Sequence, residues 1–178
     1  MNTRLIIDRL VLFALFIGLW QACSMMFGLH WFSSPLKATL RFGELSLNGE
    51  LLFHMNYTFQ AAIYGFLIGG IPGLLLPFIL RKLPVINAIF DPFFAAGYGV
   101  PKLALAPLFV LWFGIDLEPK IALVASIVFF LVFFSTMAGV QAVNAQYVNM
   151  ARVAGASESD IARHIVWPGA IPYAFAGF

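Results

Sequence analysis

Ile121 to Val140 is twenty residues without a formal charge, and twelve of them are Ile, Leu, Val or Phe. A helix needs about 20 residues to cross a hydrocarbon core of about 30 Å. Each of those twelve contributes roughly −0.3 to −0.6 kcal/mol at a helix centre, so about −4 to −7 kcal/mol together, an upper figure because residues near the ends count for less. Leu10 to Leu29 is a second uncharged twenty. Leu51 to Leu80 is uncharged for thirty residues, too long for one upright helix. Its first part, with His54 and Asn56, is expected to approach along the interface, leaving Phe59 to Leu80 to span. From Pro92 to Ile115 the chain is apolar except for Lys102 and carries Pro101 and Pro107. This reads as a span from about residue 98 to 114, with Pro101 in a first helical turn and a kink at Pro107. After Trp167 the chain turns apolar again and begins a fifth span near residue 168, without reaching its end by Phe178.

The expectation is therefore an all-α polytopic membrane protein. It is one domain over residues 1–178 with spans at about 10–29, 59–80, 98–114 and 121–140, and a segment outside the membrane at 141–167. Composition agrees, since 62% of residues are hydrophobic and 10% charged, against about 45–50% and about 25% in soluble domains. That leaves too little polar surface for an ordinary cytosolic enzyme, a disordered chain or a nucleic-acid binder. The single cysteine, Cys23, excludes a disulfide framework and a Cys-based zinc site. Arg4 and Arg9 ahead of an apolar run also fit a secretory signal. The run outlasts a signal, however, and Trp20-Gln21-Ala22-Cys23 lacks the leucine and small residues of a lipoprotein cleavage site. A retained helix is the reading.

Lys and Arg near span ends orient the chain. Arg4 and Arg9, Arg81 and Lys82, and Arg152 and Arg163 fall on one side. Lys37, Arg41 and Lys120 fall on the other, diluted by Glu44, Glu50, Asp116 and Glu118. The N-terminus is expected in the cytoplasm, and residues 141–167 with it.

Ala61, Gly65, Gly69 and Gly73 recur every four residues and lay a small-residue stripe along one helix face. In lipid such faces let helix backbones approach closely. Packing inside the bundle and a surface that moves against a neighbour both fit. Ala142 to Ala154 has neither Gly nor Pro and is expected to be helical, stopping at Gly155. Ser157 with Glu158 and Asp160 resembles a helix start, and a second helix is expected to about Val166, interrupted at Pro168. Two short helices broken at a glycine suit a docking element.

Asn149-Met150-Ala151, three residues, Gly155, nine residues, then Ile165-Val166-Trp167-Pro168 resembles the cytoplasmic motif of ATP-binding-cassette importer permeases. The family form is Glu-Ala-Ala, three residues, Gly, nine residues, Ile, one residue, Leu-Pro. The spacing matches throughout; Ala151, Gly155, Ile165 and Pro168 match in identity, whereas Asn149, Met150 and Trp167 depart. Gly155-Ala156-Ser157, and Ala104-Leu105-Ala106-Pro107-Leu108 running into Leu111-Trp112-Phe113-Gly114, are similar to the nitrate, sulfonate and taurine branch. The resemblance covers nearly the whole chain.

That resemblance implies a type I importer permease bundle in a prokaryotic plasma (inner) membrane. It implies a second permease copy, in a homodimer or heterodimer, two cytoplasmic ATPase subunits, and a periplasmic or lipid-anchored solute-binding protein. It implies that Asn149, Met150, Ala151, Gly155, Ala156, Ser157, Ile165 and Pro168 form or support the ATPase contact. Members ordinarily continue with further helices, so it also implies a chain truncated at its C-terminus. No phosphate-binding loop, zinc-protease or serine-hydrolase motif occurs, so no catalytic residue, cofactor or metal is expected and energy comes from elsewhere. His30, His54 and His164 are too scattered for a metal site.

An intramembrane charge is a functional candidate. Lys102 could meet an anion or snorkel to headgroups; Asn56 and Gln60, one turn apart, could line a path or bond neighbouring helices. A secondary transporter or channel is the first rival, but it predicts paired charges inside the spans. A non-transporting scaffold is the second, and it leaves residues 149–168 unexplained.

Overall fold

The computed structural model describes residues 3–28 and 31–177. The end of the first apolar run at Leu29, His30 and the final Phe178 lie outside the described residues. Every regular element among the described residues is helical. The chain divides into two compact units, residues 1–56 and 57–178.

In the first unit, α1 (Thr3–Phe27) is followed by α2 (Pro35–Leu47). Ser34 caps α2 by accepting from the Lys37 amide. The Trp20 indole donates to the Ser33 carbonyl at 2.8 Å and the Ser24 hydroxyl to the Phe32 carbonyl at 3.0 Å, which ties the loop to α1.

α3 (Glu50–Arg81) is one continuous helix. Residues 51–58, expected to approach along the interface, are the first turns of this same helix. At about 1.5 Å per residue its 32 residues reach about 48 Å, well beyond the hydrocarbon core. α4 (Pro84–Gly99) follows, then a 3-10 turn (Lys102–Leu105) and α5 (Ala106–Phe113). The expected helix over 98–114 is thus divided. Pro101 lacks an amide hydrogen and Val100 is extended (ψ 130°), as a residue before proline prefers. The two arms meet there at 82°. The bend falls at Pro101 and not at Pro107, which sits in the first turn of α5 where its missing donor costs nothing.

α6 (Glu118–Ala142) lies along α3. Gly65 faces Val124, Gly69 faces Ala125, and Gly73 faces Phe129 and Val132. Both numbers rise together, so the helices run parallel. The chain between them must therefore return across the same thickness, which makes the bent α4–α5 pair a crossing and not a hairpin that turns back. At the other end of the contact, the Lys120 ammonium lies 5.5 Å from the Tyr57 ring. α9 (Trp167–Ala176) packs antiparallel on the second half of α6, with Gly139 against Ala170 and Tyr173, and Gly177 against Ser135.

The Phe residues of α6 serve packing. The rings of Phe94 and Phe133 are 4.4 Å apart and those of Tyr98 and Phe134 4.9 Å, joining α4 to α6. Outward faces stay apolar throughout: Phe13, Leu19, Ile63, Ile68 and Leu111 are all exposed. Among the described residues three helices are long and apolar enough to cross a bilayer, or four when the bent pair is taken as one span. Such faces are stable only in lipid.

Candidate functional site

Residues 143–166 connect α6 to α9. They lie on the same side of the bundle as the end of α3, where the Phe78 and Trp167 rings pack with their centres 4.6 Å apart, tilted by 36°. Arg81, Lys82, Arg152 and Arg163 consequently share one side, with Asp116, Glu118 and Lys120 on the other.

The long helix expected over 142–154 breaks at Val143, which is extended (ψ 122°). Asn144 explains the break. Its side-chain oxygen accepts from the Gln146 amide at 2.8 Å, an alternative to helical bonding that asparagine offers readily. Asn144 thereby caps a fresh helix, α7 (Ala145–Val153). The end of α7 is a Schellman turn: the Gly155 amide donates to the Arg152 carbonyl and the Ala156 amide to the Ala151 carbonyl, both at 3.0 Å. Gly155 has φ +85°, a region that L side chains enter at a cost of roughly 1–2 kcal/mol.

Ser157 then opens α8 (Glu158–Ile161) with a capping box. Its hydroxyl accepts from the Asp160 amide at 3.2 Å, and its own amide donates to the Asp160 carboxylate at 3.1 Å. The Ser157 hydroxyl also donates to that carboxylate, and these bonds hold its pKa below the usual aspartate value. Arg152 donates Nε and a terminal nitrogen to Glu158 Oε1 at 2.8 and 2.7 Å, bridging α7 to α8 across the glycine turn.

No break occurs at Pro168. Residues Ala162–Val166 widen into a π-turn that runs straight into α9, and the Trp167 amide donates to the Ala162 carbonyl. Pro168 can neither bond to the His164 carbonyl nor fit against it in an α-turn. The extra residue in the turn relieves that clash and keeps the helix going.

These turns give α7 two faces. Val148 is buried, and with Val140, Ile161, Val166 and Ala170 it forms a small core against which Ala151, Ala156 and Ile165 also pack. Tyr147, Met150 and Val153, three residues apart, point the other way and are 62%, 69% and 91% exposed. Asn149, Gly155, Ser157 and Pro168 are exposed as well. So the expected coupling residues separate. Ala151, Ala156 and Ile165 anchor the segment, whereas Asn149 and Met150 lie outside. Tyr147 and Val153 escaped the motif comparison; their three-residue spacing with Met150 was the available signal.

The other candidates fall elsewhere. Gly65, Gly69 and Gly73 line the α3–α6 contact, and Ala61 is buried on the same stripe. Asn56 is exposed and Gln60 half-buried, one turn apart on α3. Lys102 turns back on α4. Its ammonium donates to the carbonyls of Gly97 at 2.5 Å and Tyr98 at 2.6 Å, and lies 4.4 Å from the Phe130 ring centre. Two of its three donors therefore serve the carbonyls that the bend leaves open.

Parallel apolar helices, a bent helix pair and a surface segment packed against two of the helices define a polytopic helical membrane protein. Residues 65–178 match the family described as binding-protein-dependent transport system inner membrane component, and the chain belongs to that family. It is 34% identical, over 94% of its length and 62% of the relative's, to a Bacillus subtilis (strain 168) permease protein named for aliphatic sulfonates transport. The riboflavin transport system permease protein of Chloroflexus aurantiacus is 30% identical over 92% of the chain and 62% of the relative. The taurine transport system permease protein of Escherichia coli (strain K12) is 34% identical over 67% of the chain and 40% of the relative. The chain thus spans 62% of the length of its first curated relatives.

Proposed function

We propose that this chain is the permease part of an ATP-driven importer, with α7 and its two turns as the handle that a separate ATPase grips. The solute is a small organic molecule, an aliphatic sulfonate or taurine in the first instance. Solute arrives from a binding protein outside; the working unit is a homodimer of permeases with two ATPase subunits in a prokaryotic plasma membrane. The N-terminus and residues 141–167 face the cytoplasm, in keeping with Arg81, Lys82, Arg152 and Arg163 on one side.

One observation carries this reading. An apolar face of Tyr147, Met150 and Val153 stands in the open while the opposite face of α7 is fixed to α6 and α9. A displacement imposed on that face passes directly to two membrane helices. Exposed apolar side chains beyond the membrane mark a partner surface, and the Schellman turn, capping box and Arg152–Glu158 pair keep it preorganised. Asn149, where the family has an acid, removes one charge from the contact without altering its shape.

The test uses the complete transporter. Met150→Cys in a Cys23→Ala background is expected to cross-link to the ATPase, and Gly155→Arg to abolish uptake into vesicles by straining the turn. Labelling of the introduced thiol only from the periplasmic face, or normal uptake and ATPase co-purification with Gly155→Arg, overturns the proposal.

A further inference from the structure

Two open hollows of about 520 and 470 Å³ meet at Ala162 on the π-turn. The first is walled by Leu75, Ile79 and Leu83, each one turn from the last along the end of α3 and the residues after it, and by Phe78. The second is walled by Ser159 and Trp167. The tilted Phe78–Trp167 pair joins them. Lys82 stands at the rim of the first and Arg163 at the rim of the second; both are exposed.

Neither cation forms an ion pair among the described residues. The acids nearest Arg163 in sequence are engaged elsewhere, Glu158 by Arg152 and Asp160 by Ser157, and Asp91, the acid nearest Lys82, lies nine residues on along α4. The groove therefore carries positive charge at one end and a strip of exposed aliphatic side chains leading from it toward the middle of the bilayer. Trp167 lies between, and tryptophan is a residue type enriched at membrane interfaces.

We propose that this groove binds an anionic phospholipid, with the headgroup phosphate between Lys82 and Arg163 and an acyl chain along Leu75, Ile79 and Leu83. A basic hollow between membrane helices at the headgroup level is suited to an anionic lipid. A free anion would leave the aliphatic strip unused, and an acidic protein surface would leave it facing lipid. The amphiphile matches both halves. The site is independent of the transport reading, since it needs only the membrane and these side chains.

The experiment is native mass spectrometry of the 178-residue chain released from detergent, with phosphatidylglycerol or phosphatidylcholine of identical acyl chains added. Phosphatidylglycerol is expected to be retained preferentially. Lys82→Gln with Arg163→Gln is expected to weaken its apparent affinity about 25-fold, about fivefold for each cation, while phosphatidylcholine binding stays the same. Both side chains are exposed, so the double variant keeps its fold, which its circular dichroism verifies. Lys37→Gln with Lys120→Gln removes the same charge elsewhere and is expected to change nothing. Equal retention of the two lipids, phosphatidylglycerol binding unaffected by the double variant, or an equal loss in the control pair overturns the proposal. So does displacement by inorganic phosphate alone, or a groove occupied by a second copy of the chain when cross-linked through Leu83→Cys.

Discussion

Lys102→Met tests whether the ammonium holds the bend between α4 and α5. Methionine keeps most of the stem and removes all three donors. The wild-type bonds to Gly97 and Tyr98 are charge-assisted, each worth about 1.5–3 kcal/mol. Lys102 is half-buried, so the low end applies, about 3 kcal/mol for the pair. The contact with Phe130 adds about 0.5–1 kcal/mol. A loss of about 3.5–4 kcal/mol shifts the balance between the 82° arrangement and others by about 300- to 700-fold. The assay is the distance distribution between spin labels at Ile89→Cys and Leu111→Cys, both exposed, in a Cys23→Ala background. The narrow distribution of the parent is expected to broaden or shift, with an earlier unfolding midpoint in mixed detergent. An unchanged distribution together with an unchanged midpoint refutes the reasoning, and returns Lys102 to the roles of anion contact or headgroup anchor.

Two further predictions concern close contacts and pH. Gly69→Ala places a Cβ against the Ala125 backbone, where overpacking costs about 1–3 kcal/mol or more; Gly18→Ala, with open space around it, serves as the control, and equal detergent unfolding midpoints for the two variants contradict the contact. Asp160 titrates below the usual range because Ser157 donates to its carboxylate, so its contribution to the α7–α8 turn is complete above the ordinary aspartate pKa and is lost as pH falls through the depressed value. Ser157→Ala is expected to raise the Asp160 pKa toward that of a free aspartate in an NMR titration, and no movement means that the hydroxyl is not the cause.

The all-helical class and the family were both legible in the chain. Uncharged runs such as Ile121 to Val140 admit no water-exposed fold, and the spacing from Ala151 to Pro168 survives changes at Asn149, Met150 and Trp167. What could not be read depended on local competition. A helix was expected across Ala142–Ala154, but the Asn144 side chain took the backbone donor of Gln146 and started a new one. A break was expected at Pro168, but a π-turn absorbed the clash one turn earlier. The bend was expected at Pro107 and fell at Pro101, where Lys102 could satisfy the carbonyls left behind. In the candidate site, composition alone does not separate Ala151 from Met150. Only the small core around Val148 and Ile161 decides which of them faces in.

The glycine stripe has a mechanical corollary. With Gly69 and Gly73 seated against main-chain atoms of α6, those two helices cannot slide past each other without collision, and they travel as a single strut. The elbow at Pro101, where the two arms of the bent pair meet at 82°, lies outside that strut and is not held by its contacts.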